Sequence, residues 1–190
     1  MTVRCAVRIE PCERPRGFSL VELLVTLSVL SVLAALAAPQ LGGPLSENRI
    51  RVVAREFADS LSFSRSEASK RGTRVVMCPR STAANTCQAD ASHWNQGWIV
   101  YADADRSGNY GDADVLLSVR SPVPPGIDVG SGQAAPIGVL PSGEMSFAAG
   151  VSRTIRIAGG DRRRYVVVSR VGRPSVLEAA QCTDALQCSP

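Results

Sequence analysis

The 190-residue chain is short of what most catalytic and metal-binding readings need. It has one histidine, His93, and no CxxC, so a zinc site lacks partners at workable spacing. GxSxG, Walker A and GxGxxG are all missing, and no nucleophile pattern surrounds His93. A nucleophile, base and orienting group cannot be assembled, so the chain reads as a non-enzyme without a cofactor. A lone histidine beside Trp94 reads as a surface or packing residue. Aromatics are only 5% of the chain, while 16 glycines and 12 prolines point to a small β-rich domain with many turns. A strong charge of one sign is absent too. Half of the net +4 comes from residues 1–17, where Arg4, Arg8, Arg14 and Arg16 face Glu10 and Glu13. The remaining 17 basic and 15 acidic residues are not a nucleic-acid-binding balance. There is no internal repeat or low-complexity tract.

What is present is a long apolar run. Phe18–Ala38 spans 21 residues with a single charge, Glu22. A cleaved secretory signal could exit at Ala35-Leu36-Ala37, but such signals have apolar runs of about 7–15 residues. A plain signal anchor fits the length, with the N-terminal arginines held in the cytoplasm. That reading leaves Glu22 unexplained, since a carboxylate in a membrane helix costs a few kcal/mol and calls for a partner.

Gly17-Phe18-Ser19-Leu20-Val21-Glu22-Leu23-Leu24 closely resembles the processing signature of type IV prepilins and pseudopilins. The resemblance implies cleavage by a prepilin peptidase between Gly17 and Phe18, then N-methylation of Phe18. It also implies that Glu22 pairs with the N-terminal amine of a neighbouring subunit during filament assembly. The physics agrees, because a carboxylate in lipid needs a cation at its own depth. Gly17 fits a protease pocket that a side chain would crowd.

Beyond the run, Pro39, Gly42, Gly43 and Pro44 should bend or interrupt the helix. Ile50, Val53, Phe57 and Leu61 then form one apolar stripe, and Lys70-Arg71-Gly72 reads as a helix stop. Strands are expected at Thr73–Cys78, Gly97–Ala102, Val115–Val119, Ile137–Leu140, Arg153–Ala158 and Tyr165–Arg170. One helix followed by about six short strands is an α+β pattern, a helix laid on antiparallel sheet. The organisation expected is therefore a cytoplasmic leader at 1–17 and a transmembrane or filament-core helix at 18–38. An amphipathic continuation at 39–72 and a β-rich periplasmic domain at 73–190 follow.

Trp94-Asn95-Gln96-Gly97-Trp98-Ile99-Val100-Tyr101-Ala102-Asp103, with Gly108 and Asp112, resembles the middle of the GspH/FimT family. Cys78-Pro79 and Ser169-Arg170-Val171-Gly172-Arg173 suit it as well. The resemblance implies a pilin fold, a long helix packed on two small sheets. Some FimT proteins bind DNA through a C-terminal Gly-Arg-x-Arg motif, from which Gly172-Arg173-Pro174-Ser175 departs.

Three further features stand out. Counted as a calcium loop, Asp103–Asp114 places oxygens at positions 1, 3, 5 and 12, through Asp103, Asp105, Ser107 and Asp114. Position 12 is Asp rather than Glu and Arg106 adds positive charge, so a structural turn is the better reading. Arg162, Arg163, Arg164, Arg170 and Arg173 form the one basic cluster, a candidate for phosphate contacts or a solvated strand end. The six cysteines fall as Cys5/Cys12, Cys78/Cys87 and Cys182/Cys188. The first pair, ahead of the apolar run, should stay thiol. The other four should form disulfides in an oxidising compartment, with cross-pairing left open.

The reading is a minor type IV pilin that primes pilus assembly, supporting twitching, adhesion or DNA uptake. It would sit in the inner membrane by a single pass, N-terminus cytoplasmic and domain periplasmic. Its expected partners are prepilin peptidase, other minor and major pilins and the inner-membrane assembly platform. The alternatives are a type II secretion pseudopilin and a DNA receptor for natural transformation.

Overall fold

Two α-helices, nine strands and a short 3-10 helix, Ala179–Gln181, occur among the residues that the computed structural model describes: 17–37, 42–81, 85–88, 93–131, 136–146, 153–169 and 171–181. The chain divides into two compact units, Met1–Gly42 and Gly43–Pro190. Helix α1, Leu20–Ala37, belongs to the first, and helix α2, Gly42–Arg71, builds the second. Among the described residues no helix is long and apolar enough to cross a membrane. The 18 residues of α1 rise about 27 Å, against about 30 Å of hydrocarbon. Ala38 and Pro39, and so the end of the expected span, lie outside the described residues, but Gly42, Gly43 and Pro44, expected to extend the break, instead form the first turn of α2, where a proline takes no N–H from the helix ladder.

The stripe expected on α2 is its buried face. Ile50, Val53, Ala54, Phe57, Leu61 and Ala68 are buried together with residues of both sheets. Ser64, buried on the same face, satisfies its hydroxyl on the Ser60 carbonyl at 2.7 Å. Gly72, at φ 63°, ends the helix and donates its N–H to the Ala68 carbonyl at 3.0 Å.

The strands are β1 Arg74–Pro79, β2 Trp98–Asp103, β3 Val115–Val119, β4 Asp128–Ser131, β5 Ile137–Val139, β6 Met145–Ser146, β7 Arg153–Gly159, β8 Arg162–Val168 and β9 Pro174–Glu178. A five-stranded sheet runs β3-β2-β1-β5-β6 and a four-stranded sheet β4-β7-β8-β9, with every pairing antiparallel. The first sheet is covered on both faces. Val75 and Met77 join the helix-side core, while Val76, Cys78, Ile99 and Tyr101 form a second cluster with Cys87, Tyr110 and Leu116.

Three strands escape sequence reading, and one is longer than expected. β4 carries Gly130, β6 has two residues, and β9 opens on Pro174, tolerable as the first residue of an edge strand. β8 begins at Arg162 rather than Tyr165, since pairing with β7 runs through the three arginines to the Gly159↔Arg162 register.

Cys78 and Cys87 are joined by a disulfide, with β1 at one end and an isolated bridge, Arg80↔Cys87, beside it. Cys5, Cys12, Cys182 and Cys188 lie outside the described residues. The Cys78–Cys87 bond closes a ten-residue loop, so replacing both cysteines with serine should lower stability by about 2–3 kcal/mol. A urea midpoint unchanged from that of the oxidised chain would show that the loop is held by its backbone bonds alone.

Candidate functional site

The N-terminal motif caps α1. Ser19 Oγ accepts the Glu22 N–H at 3.2 Å, and the Ser19 carbonyl accepts the Leu23 N–H at 3.1 Å. With Leu20 opening the helix, Glu22 is its third residue, so Ser19-Leu20-Val21-Glu22 has capping-box spacing. A carboxylate there also suits the positive end of the helix dipole. Only the Ser19 half of the box is made, and the S-x-x-E spacing that marks this helix start stands beside the assembly role that the resemblance implies for Glu22.

The described apolar side chains of α1 are exposed on every side, from Leu20 at 76% to Val29 at 53%. Its hydroxyls satisfy themselves on the helix backbone. Thr26 Oγ1 donates to the Leu23 carbonyl at 2.9 Å, Ser28 to Val25 at 2.8 Å and Ser31 to Ser28 at 2.8 Å. Hydroxyls bonded in this way can enter an apolar medium. The Glu22 carboxylate has no side-chain hydrogen bond or ion pair with any described residue. A Cβ on Gly17 would meet nothing within 4 Å, so the fold itself does not ask for glycine there.

The arginine cluster divides. Arg164 is buried, its side chain 8% exposed, and its Nε donates to Glu47 Oε1 at 3.0 Å while Nη2 donates to Glu178 Oε1 at 2.8 Å. Burial alone would lower the Arg164 pKa, but the bonds to Glu47 and Glu178 outweigh it and keep the guanidinium charged. The same bond holds Glu47 below the usual carboxylate range. Arg164 thus clamps α2 and β9 onto β8, a structural role that a solvated strand end does not describe. Arg162 and Arg163 are exposed beside it. Arg173 is exposed just after the turn at the other end of β8, about 20 Å of strand away. Arg170 lies outside the described residues. The expected cluster is therefore not one surface.

Asp103, Asp105 and Asp114 do come together, with one carboxylate oxygen of each within 4.8 Å of the others. Each is already used. Asp103 is fully buried, 3.4 Å from Arg74 Nη1, and accepts the Gly108 N–H at 3.2 Å. Burial raises its pKa, opposed by the Gly108 N–H and Arg74. Asp105 accepts the Ser107 N–H at 2.9 Å, a bond that lowers its pKa. Asp114 accepts from Ala104 and Gly111, both at 2.9 Å. Backbone donors and one arginine fasten these carboxylates into the β2–β3 turn. His93 is exposed and bridges Gly130.

The Trp-x-x-Gly-Trp segment joins the two sheets to α2. Phe57 meets Trp94 and Trp98 edge-on, with ring centroids at 5.2 and 5.1 Å, and Trp98 Nε1 donates to Ser60 Oγ at 2.9 Å. Asn95 accepts the Val129 N–H at 2.6 Å and donates to Asp128 at 2.9 Å, tying β4 to the start of β2.

The family model for type II transport protein GspH matches residues 53–172, more than half of the chain. The model of the prokaryotic N-terminal methylation motif matches residues 14–38. Two crystal structures of the type IV minor pilin FimU from Pseudomonas aeruginosa share the fold. One has TM-score 0.54 at 15% identity, covering 70% of this chain and 92% of that one. The other has TM-score 0.50 at 15% identity, covering 68% and 94%. No curated protein matches the chain in sequence.

Proposed function

This chain belongs to the GspH family of type II transport proteins, within the type IV minor pilins and pseudopilins, and from that premise we propose that it is a minor pilin. It is a structural, non-catalytic subunit that primes pilus assembly. Prepilin peptidase cuts between Gly17 and Phe18 and methylates Phe18. Residues 18–38, three more than α1 itself, hold the chain in the inner membrane, with the N-terminus cytoplasmic and the domain periplasmic. The chain then leaves the bilayer through the assembly platform and joins other minor and major pilins.

One observation carries this reading. α1 is apolar all round, its hydroxyls are internally bonded, and one carboxylate is left without a cation among the described residues, five residues past a glycine that the fold does not need. An all-apolar helix is buried in lipid or in protein, where a carboxylate calls for a partner, and a donor from another chain at the same depth would supply it.

Intact mass and N-terminal sequencing of the protein from host membranes test the processing. The expected species begins at N-methylated Phe18. A chain that starts at Met1, or is cut near Ala37, would remove the assembly role. A type II secretion pseudopilin has the same processing, and the likeness to FimU at 15% identity speaks for the fold alone. Recovery of the mature chain in sheared pili, against a secretion filament, separates the two. The distance between Arg173 and the Arg162–Arg163 pair weighs against a DNA receptor.

A further inference from the structure

We propose that Arg65 and Arg173 form a docking site for a carboxylate, the acidic side chain of a neighbouring protein subunit. The kind of neighbour rests on the assembly role described above, and the site lies wholly within the unit Gly43–Pro190.

Two glycine turns build the site around Arg65. Gly143 lies in the β5–β6 turn and Gly172 in the β8–β9 turn, at φ 83° and 74°. The Gly143 N–H bonds the Leu140 carbonyl at 2.8 Å, and the Gly172 N–H bonds the Ser169 carbonyl at 2.9 Å. Both conformations favour glycine, and so does the space around them. A Cβ on Gly172 would collide with the Gly143 carbonyl oxygen and lie 3.5 Å from Arg65 Cδ, and one on Gly143 would lie 2.7 Å from Arg65 Nε. Turns from two different sheets therefore close on one arginine side chain, which gives up much of its freedom before any ligand arrives.

The guanidinium held in this way has no acceptor of its own. Arg65 makes no hydrogen bond or ion pair with a described residue. It lines one cleft with Arg173, Ser62, Ser66 and Ser69, and no carboxylate lines that cleft. Glu144, next to Gly143, accepts the Ser142 hydroxyl at 3.4 Å, and Glu67 is held by Lys70 and Arg71. Ser62 and Ser69 donate to the Ala58 and Pro141 carbonyls, while exposed Ser66 adds a hydroxyl donor. Two cations in one cleft attract an anion, and the planar fork of arginine fits a carboxylate with two bonds. A protein suits the cleft better than a nucleic acid. Nucleic acids draw affinity from a row of phosphates, and the next cations along α2, Lys70 and Arg71, are occupied by Glu67. A protein interface can centre on one charged pair beside an apolar contact, and Val171, 53% exposed, stands next to Gly172.

The full chain in neutral detergent is treated with phenylglyoxal, and the rate at each arginine is read by peptide mass spectrometry. The probe is poly-L-glutamate, with inorganic phosphate and duplex DNA at equal anion concentration as the other sources of anionic oxygen. Poly-L-glutamate should slow Arg65 and Arg173 by at least about threefold, with little change at exposed Arg55 and Arg163, and should lose its effect in high salt. In Arg173→Gln, a change at an exposed side chain, the slowing at Arg65 should disappear. Unchanged rates at the pair would overturn the proposal, as would equal slowing at Arg55 and Arg163. So would full slowing of Arg65 in Arg173→Gln, or equal protection by phosphate or DNA. Filament content keeps the two readings apart. A wild-type chain that never enters filaments refutes the assembly role, whereas Arg173→Gln entering them as fully as the wild type refutes the docking site alone.

Discussion

Replacing Glu22 with glutamine should leave cleavage after Gly17 intact and cut incorporation into filaments at least tenfold, which asks for only about 1.4 kcal/mol. Glutamine is the decisive substitution because it separates the assembly role proposed for Glu22 from its place at the helix start. At the third helical position it faces a Ser19 cap whose Oγ already holds the Glu22 N–H. Gln fills that place in a capping box as Glu does, so α1 should begin at the same residue. What Gln lacks is the charge. A neutral side chain enters lipid more easily than a carboxylate, by a few kcal/mol, so the variant should be held in the membrane as well as the wild type or better. A fall in filament content with membrane content unchanged therefore isolates pairing with a cation on another subunit. Glu22→Ala should behave alike, with a further small loss from the cap. Normal amounts of Glu22→Gln in sheared filaments would return Glu22 to a helix-start role and remove the assembly argument.

The parts of this site legible in sequence were those carried by local spacing. Glu22 stands out because it is the only charge in a 21-residue apolar run, and Gly17 because it stands one residue before that run. The Cys78–Cys87 pair was legible because the cysteines are nine apart, close enough to be joined across one turn. The arginines were not. In sequence Arg162, Arg163 and Arg164 look equivalent, but strand alternation and a neighbour 117 residues away give Arg164 a buried place between two carboxylates. No local signal announces Glu47 as that neighbour. Arg51 is brought into one cleft with Arg162 and Arg163 by tertiary packing for the same reason.

The fold shows the same division. The stripe Ile50, Val53, Phe57, Leu61 repeats at helical spacing and is buried as that spacing requires. β4 and β9 were missed because their evidence is their partners. Asp128-Val129-Gly130-Ser131 has weak strand propensity and is held by β7 and by Asn95, while Pro174–Glu178 is an edge strand that needs β8. The two sheets are tied together by the loop 93–97, whose side chains and backbone reach β4 from the start of β2.

That loop makes Gly97→Ala the most damaging single substitution expected in the domain. Gly97 sits at φ 82°, a conformation that costs an L-residue about 1–2 kcal/mol. A Cβ there would also lie 2.2 Å from the Arg120 carbonyl oxygen and 2.6 Å from that of Ser121, and both are backbone atoms. Neither can swing away. The Arg120 N–H is fixed to the Trp98 carbonyl at 2.7 Å, and the Gly97 carbonyl accepts the Arg80 N–H at 3.0 Å. Relief would have to come from moving Trp98 and Trp94, whose rings bracket Phe57 at the centre of the core. Overpacking in such a place adds about 1–3 kcal/mol, for a total near 3–5 kcal/mol. At about 2–4 °C per kcal/mol the thermal midpoint should fall by roughly 6–20 °C. Gly111→Ala is the matched control, since a Cβ there meets nothing within 4 Å and its backbone is unstrained. A Gly97→Ala domain that melts with the Gly111→Ala domain would mean that the β2–β3 edge yields, and that the close approach of strand ends is not what fixes the two tryptophans on Phe57.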